Sequence, residues 1–323
     1  MKKIAVVLLL ASFIIAGCSN TETTKKDTEY RIGILLSDAG LGDESFNDSA
    51  FRGLENARDE FGMIFDYREA TDGDPEGALT ELVEENHDIV IALGFSAKDA
   101  LENVAAKYPE QQFLLIDEVS DMDNIISITF KEQEGSFLVG MIAAMTSKTN
   151  KIGFIGGVDV PLIHHFRAGF IQGVKYVKPD AEVFVDFAGT FDDPELGRTL
   201  ALAQIEKGAD FIYHAAGFTG YGSLQAAEEN NIYAAGVDID QFFVAEKAVV
   251  TSMIKKVDQA VYDIAKTLHE NGKIEASSFQ LGLAEDGVGL AEIRLKSLTP
   301  EEQQLLEDVT NKITSGEITV EAE

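Results

Sequence analysis

The sequence predicts an α/β protein with two similar, doubly wound lobes. Short apolar runs alternate with amphipathic stretches from residue 31 onward, as expected for buried parallel strands connected by helices. This alternation restarts at residue 151. Two stretches in corresponding places also resemble each other, "GDPEGALTELVEENHDIVIALG" and "DDPELGRTLALAQIEKGADFIYHAAG". With 323 residues, 45% of them hydrophobic, the chain is long enough for two packed domains.

The elements of each lobe can be assigned in order. In the first lobe, strands and helices alternate through "RIGILLS", "SAFRGLENARDEFG", "MIFDYRE", "DPEGALTELVEEN", "HDIVIALGF", "SAKDALENVAAKY" and "QQFLLIDE". In the second, they alternate through "KIGFIGG", "HHFRAGFIQGVKYVKP", "AEVFVDFAG", "DPELGRTLALAQIEKG", "DFIYHAAG", "GSLQAAEENN" and "IYAAGVD". Asp-Pro opens a helix in both lobes, because proline in the first turn leaves no N–H unsatisfied. Parallel strands connected in this way bind ligands beyond their carboxyl ends.

The chain is predicted to cross between the lobes several times. "VVTSMIKKVDQAVYDIAKTLHENG" predicts a strand and an amphipathic helix, and we expect both to complete the first lobe. The apolar face of this helix carries Val257, Val261, Ile264, Ala265 and Leu268. The tail returns through "FQLGLAEDGVGLA" and ends in a charged helix from "TPEEQQLLEDVTNKI". The predicted first lobe comprises residues 31–130 plus about 252–280, and the second 131–251 plus about 281–323. Several crossings make a multi-strand hinge, and the cleft beside it is the expected ligand site.

The N-terminus indicates export and a lipid anchor. "MKKIAVVLLLASFIIAGC" has two lysines, an apolar stretch and small residues before Cys18, the only cysteine. Residues 1–17 are therefore predicted to be a signal peptide, too short for an ordinary membrane span. "IIAGC" resembles a bacterial lipobox, which predicts cleavage before Cys18 and acylation of that residue. The polar residues 18–30 would then tether the protein to the extracytoplasmic face of the cell membrane.

Charge and motif content exclude several classes of function. The formal charge is −30, and it becomes more negative when cleavage removes Lys2 and Lys3, so nucleic acid is not an expected partner. "GLGDES" lacks the third glycine of a dinucleotide fingerprint and carries Asp43 and Glu44 where a pyrophosphate would lie. The histidines and serines form no zinc or hydrolase motif. The sequence therefore predicts no catalytic residues, no cofactor and no metal.

Polar and aromatic side chains follow the predicted strands at their carboxyl ends. The candidate ligand-binding residues are Asp38, Phe46, Asn47, Asp117, Phe218, Asp238 and Lys255. Each one alone has an ordinary structural explanation, such as a helix cap, which is our interpretation of the neighbouring Asp48. "GFTGYGS", which includes Phe218, fits a tight turn as well as close approach of a ligand. Because the doubly wound geometry brings strand ends to one cleft, we expect the candidates to form a single site.

Several motifs together resemble the basic membrane protein family of lipoproteins, of the purine nucleoside receptor A type. They are "SFND", "LLID", "HAAGFTGYG", "GVDIDQ", "TSMIKKVDQAVYD" and "LGLAEDGVGLA", found in the family's order from Tyr30 to about residue 295. The resemblance implies the type I periplasmic-binding-protein fold. It also implies that the protein is the substrate-binding component of an ABC importer, with permease and ATPase subunits as partners and a nucleoside as ligand.

The resemblance also implies roles for the candidate residues. Two aromatic rings would enclose the base, and we assign them to Phe46 and Phe218, with Phe95 and Phe191 as alternatives to Phe218. Asp38 and Asp117 would hold the base. Asp238 and Lys255 would lie at the ribose. A nucleoside offers N–H and O–H donors and two π faces without charge, which suits carboxylates and rings.

Two other functions remain as alternatives. A branch of the family is linked to transcriptional regulation, so a signalling or regulatory lipoprotein is the main one. The other alternative, an enzyme that cleaves nucleosides, would need an activated nucleophile or a bound metal ion. The sequence contains no motif typical of either. The resemblance favours a purine nucleoside as ligand, with a pyrimidine nucleoside as the alternative.

Overall fold

The computed structural model describes residues 29–70, 73–275 and 278–323. The predicted signal peptide over residues 1–17, the predicted lipidation of Cys18 and most of the predicted tether over residues 18–30 lie outside the described residues.

Twelve strands, nine α-helices and two short 3₁₀-helices (Phe95–Ala97 and Phe242–Val244) are found in the described ranges. The strands are β1 (Arg31–Leu35), β2 (Ile64–Arg68), β3 (Ile89–Leu93), β4 (Gln112–Ile116), β5 (Ile125–Phe130), β6 (Lys151–Gly156), β7 (Glu182–Phe187), β8 (Phe211–Ala215), β9 (Tyr233–Asp238), β10 (Val249–Lys255), β11 (Ser278–Leu281) and β12 (Val288–Leu290). The helices are α1 (Phe46–Phe61), α2 (Pro75–Glu84), α3 (Lys98–Lys107), α4 (Glu132–Thr146), α5 (Pro161–Val177), α6 (Pro194–Glu206), α7 (Gly217–Glu229), α8 (Val257–Asn271) and α9 (Pro300–Thr314). Each helix in these ranges is too short or too polar to span a lipid bilayer.

The strands form two six-stranded sheets, one in each lobe. The first has the order β11-β5-β4-β3-β1-β2, and every neighbouring pair is parallel. The second has the order β12-β10-β9-β8-β6-β7, in which β12 alone is antiparallel to its neighbour β10. Helices cover both faces, so central strands such as β3 and β8 are buried along their whole length. The prediction of two doubly wound α/β lobes is confirmed.

Helices α4 and α5 pack unusually closely in the second lobe. A Cβ atom at Gly140 would lie 2.2 Å from the carbonyl oxygen of Phe170, and one at Gly173 would lie 1.9 Å from that of Phe137. A side chain at either position would force the two backbones apart. The close contact extends to the first turn of α4, which bears Glu132, because a Cβ atom at Gly169 would lie 2.1 Å from the carbonyl oxygen of Gln133.

The structure changes one predicted boundary between the lobes. Strand β10 pairs with β9 and β12 in the second sheet, whereas α8 packs against α1 of the first lobe. A Cβ atom at Gly53 of α1 would lie 2.4 Å from the carbonyl oxygen of Asp258 in α8. The predicted boundary at about residue 252 therefore lies within a strand, and the chain crosses after Lys255. It crosses after β5 and after β11 as well, so three segments connect the lobes.

Candidate functional site

A cavity of ≈ 280 Å³ lies between the lobes, at the carboxyl ends of both sets of parallel strands. Its volume is close to the lower end of the range of small-molecule sites, roughly 300–1,000 Å³. Five of the seven predicted ligand-binding residues line it, namely Asp38, Phe46, Asp117, Asp238 and Lys255. The first three come from the first lobe and the last two from the second, so the cavity depends on both lobes.

Lys255 lies at the centre of a buried group of charges. Its Nζ is 2.6 Å from Asp117 Oδ2 and 3.1 Å from Glu132 Oε1. The same nitrogen lies 5.1 Å from the ring centroid of Phe46 and 5.7 Å from that of Phe166, within range of cation–π attraction. The sequence did not point to Glu132, which is completely buried at the first turn of α4. Its only signal was one of two glutamates in the first turn of a helix whose remaining turns are mostly apolar.

The burial of these charges shifts their pKa values. Burial raises the pKa of Asp117 to about 7, although Lys255 opposes this effect. Burial also raises the pKa of Asp238 above its usual range, again against the attraction of Lys255. For Lys255 itself, burial lowers the pKa, but Asp117, Glu132 and Asp238 outweigh it and the net shift is upward. The lysine therefore stays charged, and its single positive charge is shared among the three carboxylates around it.

Asp117 and Asp238 occupy corresponding places in the two lobes. Asp117 directly follows β4 and Asp238 ends β9, and their φ angles are +74° and +65°. This left-handed backbone region is uncommon for residues with a side chain and is often found at functional sites. Asp238 Oδ2 accepts a short hydrogen bond from Ser45 of the opposite lobe. The buried Oδ1 of Asp117 has no hydrogen-bond partner among the described residues, so it is available to a ligand donor.

The loop before α1 is held by carboxylates of its own sequence. Asp43 accepts hydrogen bonds from the backbone N–H groups of Ser45, Asn47 and Asp48, at 2.9, 2.9 and 3.2 Å. Burial raises the pKa of Asp43 to about 6 despite these three hydrogen bonds. The side chain of Asp43 therefore occupies the helix N-terminus that would otherwise attract an anion.

The structure places two residues of this loop differently from their sequence-based interpretation. Asp48 is not the N-cap, because it lies in the first turn of α1 and accepts from the backbone N–H of Gly42 and Glu44. Asn47 is buried outside the cavity lining, where its Oδ1 accepts from the backbone N–H of Ser37 at 2.9 Å and its Nδ2 donates to Asp43. Asn47 therefore shapes the loop rather than facing the cavity.

The structure places Phe218 outside the cavity lining as well. Helix α7 already begins at Gly217, so Phe218 lies in its first turn and its ring packs 5.7 Å from that of Tyr221. Phe95 and Phe191, the two alternatives, do line the cavity, with ring centroids 6.5 Å apart. Phe95 belongs to the first lobe and Phe191 to the second. The aromatic face of the second lobe therefore includes Phe191 rather than Phe218.

One group of potential metal ligands lies outside the cavity, at the edge of the first sheet. It consists of Asp66, Glu85 and His87. Arg31 pairs with Asp66 at 2.9 Å and Arg68 with Glu85 at 2.5 Å, so both carboxylates already have cationic partners. These pairs oppose the binding of a metal ion.

The fold and the cavity define a bilobed solute-binding protein. Residues 31–323 match the family described as ABC transporter substrate-binding protein, PnrA-like, and the chain belongs to this family. It is 33% identical to the CD4+ T-cell-stimulating antigen of Listeria monocytogenes, over 98% of this chain and 97% of that protein. It is 31% identical to Basic membrane protein A of Borreliella burgdorferi, over 99% and 96% of the two chains. The resemblance to the basic membrane protein family is thus confirmed.

A solved structure supports the same fold. The crystal structure of an ABC transporter solute-binding protein from Aeropyrum pernix matches this chain with a TM-score of 0.84 and 28% identity, covering 90% of this chain and 92% of that one. The predicted type I periplasmic-binding-protein fold is confirmed.

Proposed function

We propose that this protein is the lipid-anchored receptor of an ABC importer and that it binds a nucleoside, with no catalytic step. Membership of a family of ABC transporter substrate-binding proteins supports the transport role. The single observation that carries the nucleoside proposal is the cavity, in which four carboxylates and aromatic rings from both lobes converge. The lipid anchor is supported by the "IIAGC" sequence before Cys18.

The polar groups of the cavity suit an uncharged ligand that donates hydrogen bonds. Asp38, Asp117 and Asp238 all offer carboxylate oxygens, and hydrogen bonds to carboxylates are stronger than those between neutral groups. We assign Asp38 and Asp117 to the N–H groups of the base, and Asp238 to the ribose hydroxyls. Lys255 would hold Asp117 in place while contacting the ribose end of the ligand.

The aromatic residues suit a planar base. Phe46 lies on the wall formed by the first lobe and Phe191 on the wall formed by the second. A base enclosed between them would gain roughly 1–3 kcal/mol from stacking. Closure of the lobes would then complete the stacking arrangement, which couples binding to the conformational change.

The loop that contains Asp43 argues against nucleotides. A phosphate group would normally find backbone N–H groups at the start of α1, but Asp43 already accepts hydrogen bonds from three of them. A phosphate in the cavity would also face Asp38 and Asp238 at close range. The site should therefore reject nucleoside monophosphates by charge repulsion.

Thermal unfolding with added ligands tests this proposal. A ligand that binds only the folded state stabilises it by RT ln(1 + [L]/Kd), about 2.7 kcal/mol at a hundredfold excess over Kd. Guanosine, inosine or adenosine should therefore raise the Tm, and the matching monophosphates should leave it unchanged. If none of the nucleosides changes the Tm, the nucleoside assignment is wrong. If a nucleoside and its monophosphate raise the Tm equally, the argument from Asp43 is wrong.

A further inference from the structure

We propose that Gln241 is a positioning residue that holds the two lobes in the closed arrangement without contacting the ligand. Its side chain joins the end of β9 in the second lobe to the loop before α1 in the first lobe. Gln241 is not among the residues that line the cavity. The inference rests on one part of the proposed function, namely that a solute is bound between the lobes and is released when they separate.

Hydrogen bonds within the second lobe fix the orientation of the Gln241 amide. The backbone N–H of Val237 points at Oε1, 2.9 Å away, and an N–H group can only donate. His214 Nε2 lies 3.0 Å from the same oxygen. Burial lowers the pKa of His214 to about 4, so the ring is neutral at pH 7. Because Val237 already requires an oxygen at this position, the Nε2 of His214 must carry the ring proton and donate it to Oε1. The N–H of Val237 therefore fixes the carbonyl oxygen of Gln241 on this side, and His214 is compatible with that orientation.

This orientation turns the NH₂ group of Gln241 toward the other lobe. Nε2 donates to the backbone carbonyl oxygen of Glu44, 2.8 Å away and 197 residues distant in the chain. Gln241 is 1% exposed, so water cannot easily replace this acceptor while the lobes are closed. When the lobes separate, the hydrogen bond must break.

The acceptor is held in place before closure. Glu44 has a φ angle of +49°, in the left-handed region, and its N–H donates to Asp48 Oδ2 at 3.0 Å. Asp43 binds the following N–H groups of the loop, including that of Ser45. These bonds lie within the first lobe, so they maintain the direction of the Glu44 carbonyl whether or not the second lobe is near. The hydrogen bond from Gln241 therefore forms between two rigid partners.

Other bonds between the lobes differ from this one in an important respect. Ser45 binds Asp238, and Lys255 binds Asp117, and three of these four residues line the cavity. A ligand competes for those same groups. Gln241 and the Glu44 carbonyl have no such competitor, so their hydrogen bond stabilises the closed form equally with and without ligand.

The test uses Gln241→Glu in the purified mature protein. This change keeps an oxygen for Val237 and His214, but it places a second oxygen against the Glu44 carbonyl, where no hydrogen can be donated. We expect guanosine to dissociate about tenfold faster in stopped-flow measurements, the order expected for loss of one buried hydrogen bond. We also expect a larger radius of gyration for the unliganded protein by small-angle X-ray scattering. Gln304→Glu, the same chemical change on the exposed face of α9, is the control.

Lowering the pH separates this role from a simple packing defect. Once the introduced carboxyl group is protonated, its O–H can donate to the Glu44 carbonyl. The dissociation rate should then return toward that of the original protein at the same pH. A packing defect would show no such recovery. If Gln241→Glu does not fold, Gln241→Met, which is uncharged and of similar length, serves in the same dissociation and scattering measurements.

An unchanged dissociation rate together with an unchanged radius of gyration would overturn the role of Gln241. Failure of the proposed function looks different, because the original protein would then bind no nucleoside. In that case the role of Gln241 is decided by scattering from the unliganded proteins alone. A larger radius of gyration for Gln241→Glu than for the original protein supports this role, and an equal radius overturns it.

Discussion

Lys255 and Asp117 form an ion pair across the cleft, with 2.6 Å between Nζ and Oδ2. The lysine ends β10 of the second sheet, and the aspartate follows β4 of the first. Both side chains are buried and both line the cavity, so the pair connects the two lobes at the site itself. Because Lys255 also contacts Glu132, it stabilises two carboxylates that would otherwise repel each other.

Replacement of Lys255 should destabilise the protein strongly. Lys255→Met keeps much of the side-chain volume but leaves Asp117 and Glu132 buried without their cation. Removing one partner of a buried ion pair costs about 3–5 kcal/mol. We expect a loss of this order in the free energy of unfolding, measured by urea denaturation. Lys256→Met, at the exposed ion pair with Asp286, should cost less than about 1 kcal/mol. Similar losses for the two variants would contradict the central role of Lys255.

Asp117 should make the stability of the unliganded protein depend on pH. Its pKa is about 7 in the folded protein and 3.8 without the influence of the fold. The folded state therefore binds this proton more tightly, so the contribution of Asp117 to stability is full below about pH 4 and is lost as the pH rises through 7. We expect the stability of the original protein relative to Asp117→Asn to fall between pH 4 and pH 7, as measured by urea denaturation at each pH. If the difference in free energy of unfolding between the two proteins is the same at every pH, the predicted effect of Asp117 is ruled out.

Phe46 should contribute to nucleoside binding through its ring. Phe46→Ala removes one stacking face. We expect the binding free energy, obtained from the Kd by isothermal titration calorimetry, to become weaker by roughly 1–3 kcal/mol. Phe218→Ala is the matched control, because the ring of Phe218 packs on Tyr221 outside the cavity lining. It should leave the Kd unchanged. A weakening of binding in Phe218→Ala comparable to that in Phe46→Ala would support the sequence-based assignment of both rings and contradict the placement of Phe218 outside the cavity lining.

Cys18 should anchor the protein. Cys18→Ala removes the only thiol that can be acylated, so the protein should move from the membrane fraction to the soluble fraction on centrifugation. Ser19→Ala should stay with the membranes. Retention of the alanine variant at position 18 in membranes after the signal peptide is cleaved would disprove the anchor.

The two α/β lobes could be predicted from the sequence, but one of the points at which the chain crosses between them could not. Alternating strands and helices are local patterns, so they could be predicted from composition and spacing. The sheet to which β10 belongs depends on pairing with β9 and β12, which no local pattern specifies. Because "TSMIKK" continues directly into α8, strand and helix were assigned together to the first lobe, whereas they belong to different lobes.

The site was predicted in part for a similar reason. Asp117 and Asp238 were identifiable because they end apolar strands, and the structure brings both to one cavity. Phe218 was misplaced because the direction of its ring depends on where α7 begins. Glu132 belongs to no quoted motif, and Gln241 ends "GVDIDQ" without any chemistry of its own that would single it out. The importance of both comes from contacts with residues far away in the chain.

Mass spectrometry of small molecules that co-purify with the protein tests the nucleoside assignment most directly. The closed cavity should retain part of its natural ligand through purification under native conditions. We predict that denaturing the protein releases a nucleoside, at no more than one molecule per chain, and that Phe46→Ala releases much less. Release of a nucleotide, a sugar or an amino acid in that amount instead would contradict the proposed function.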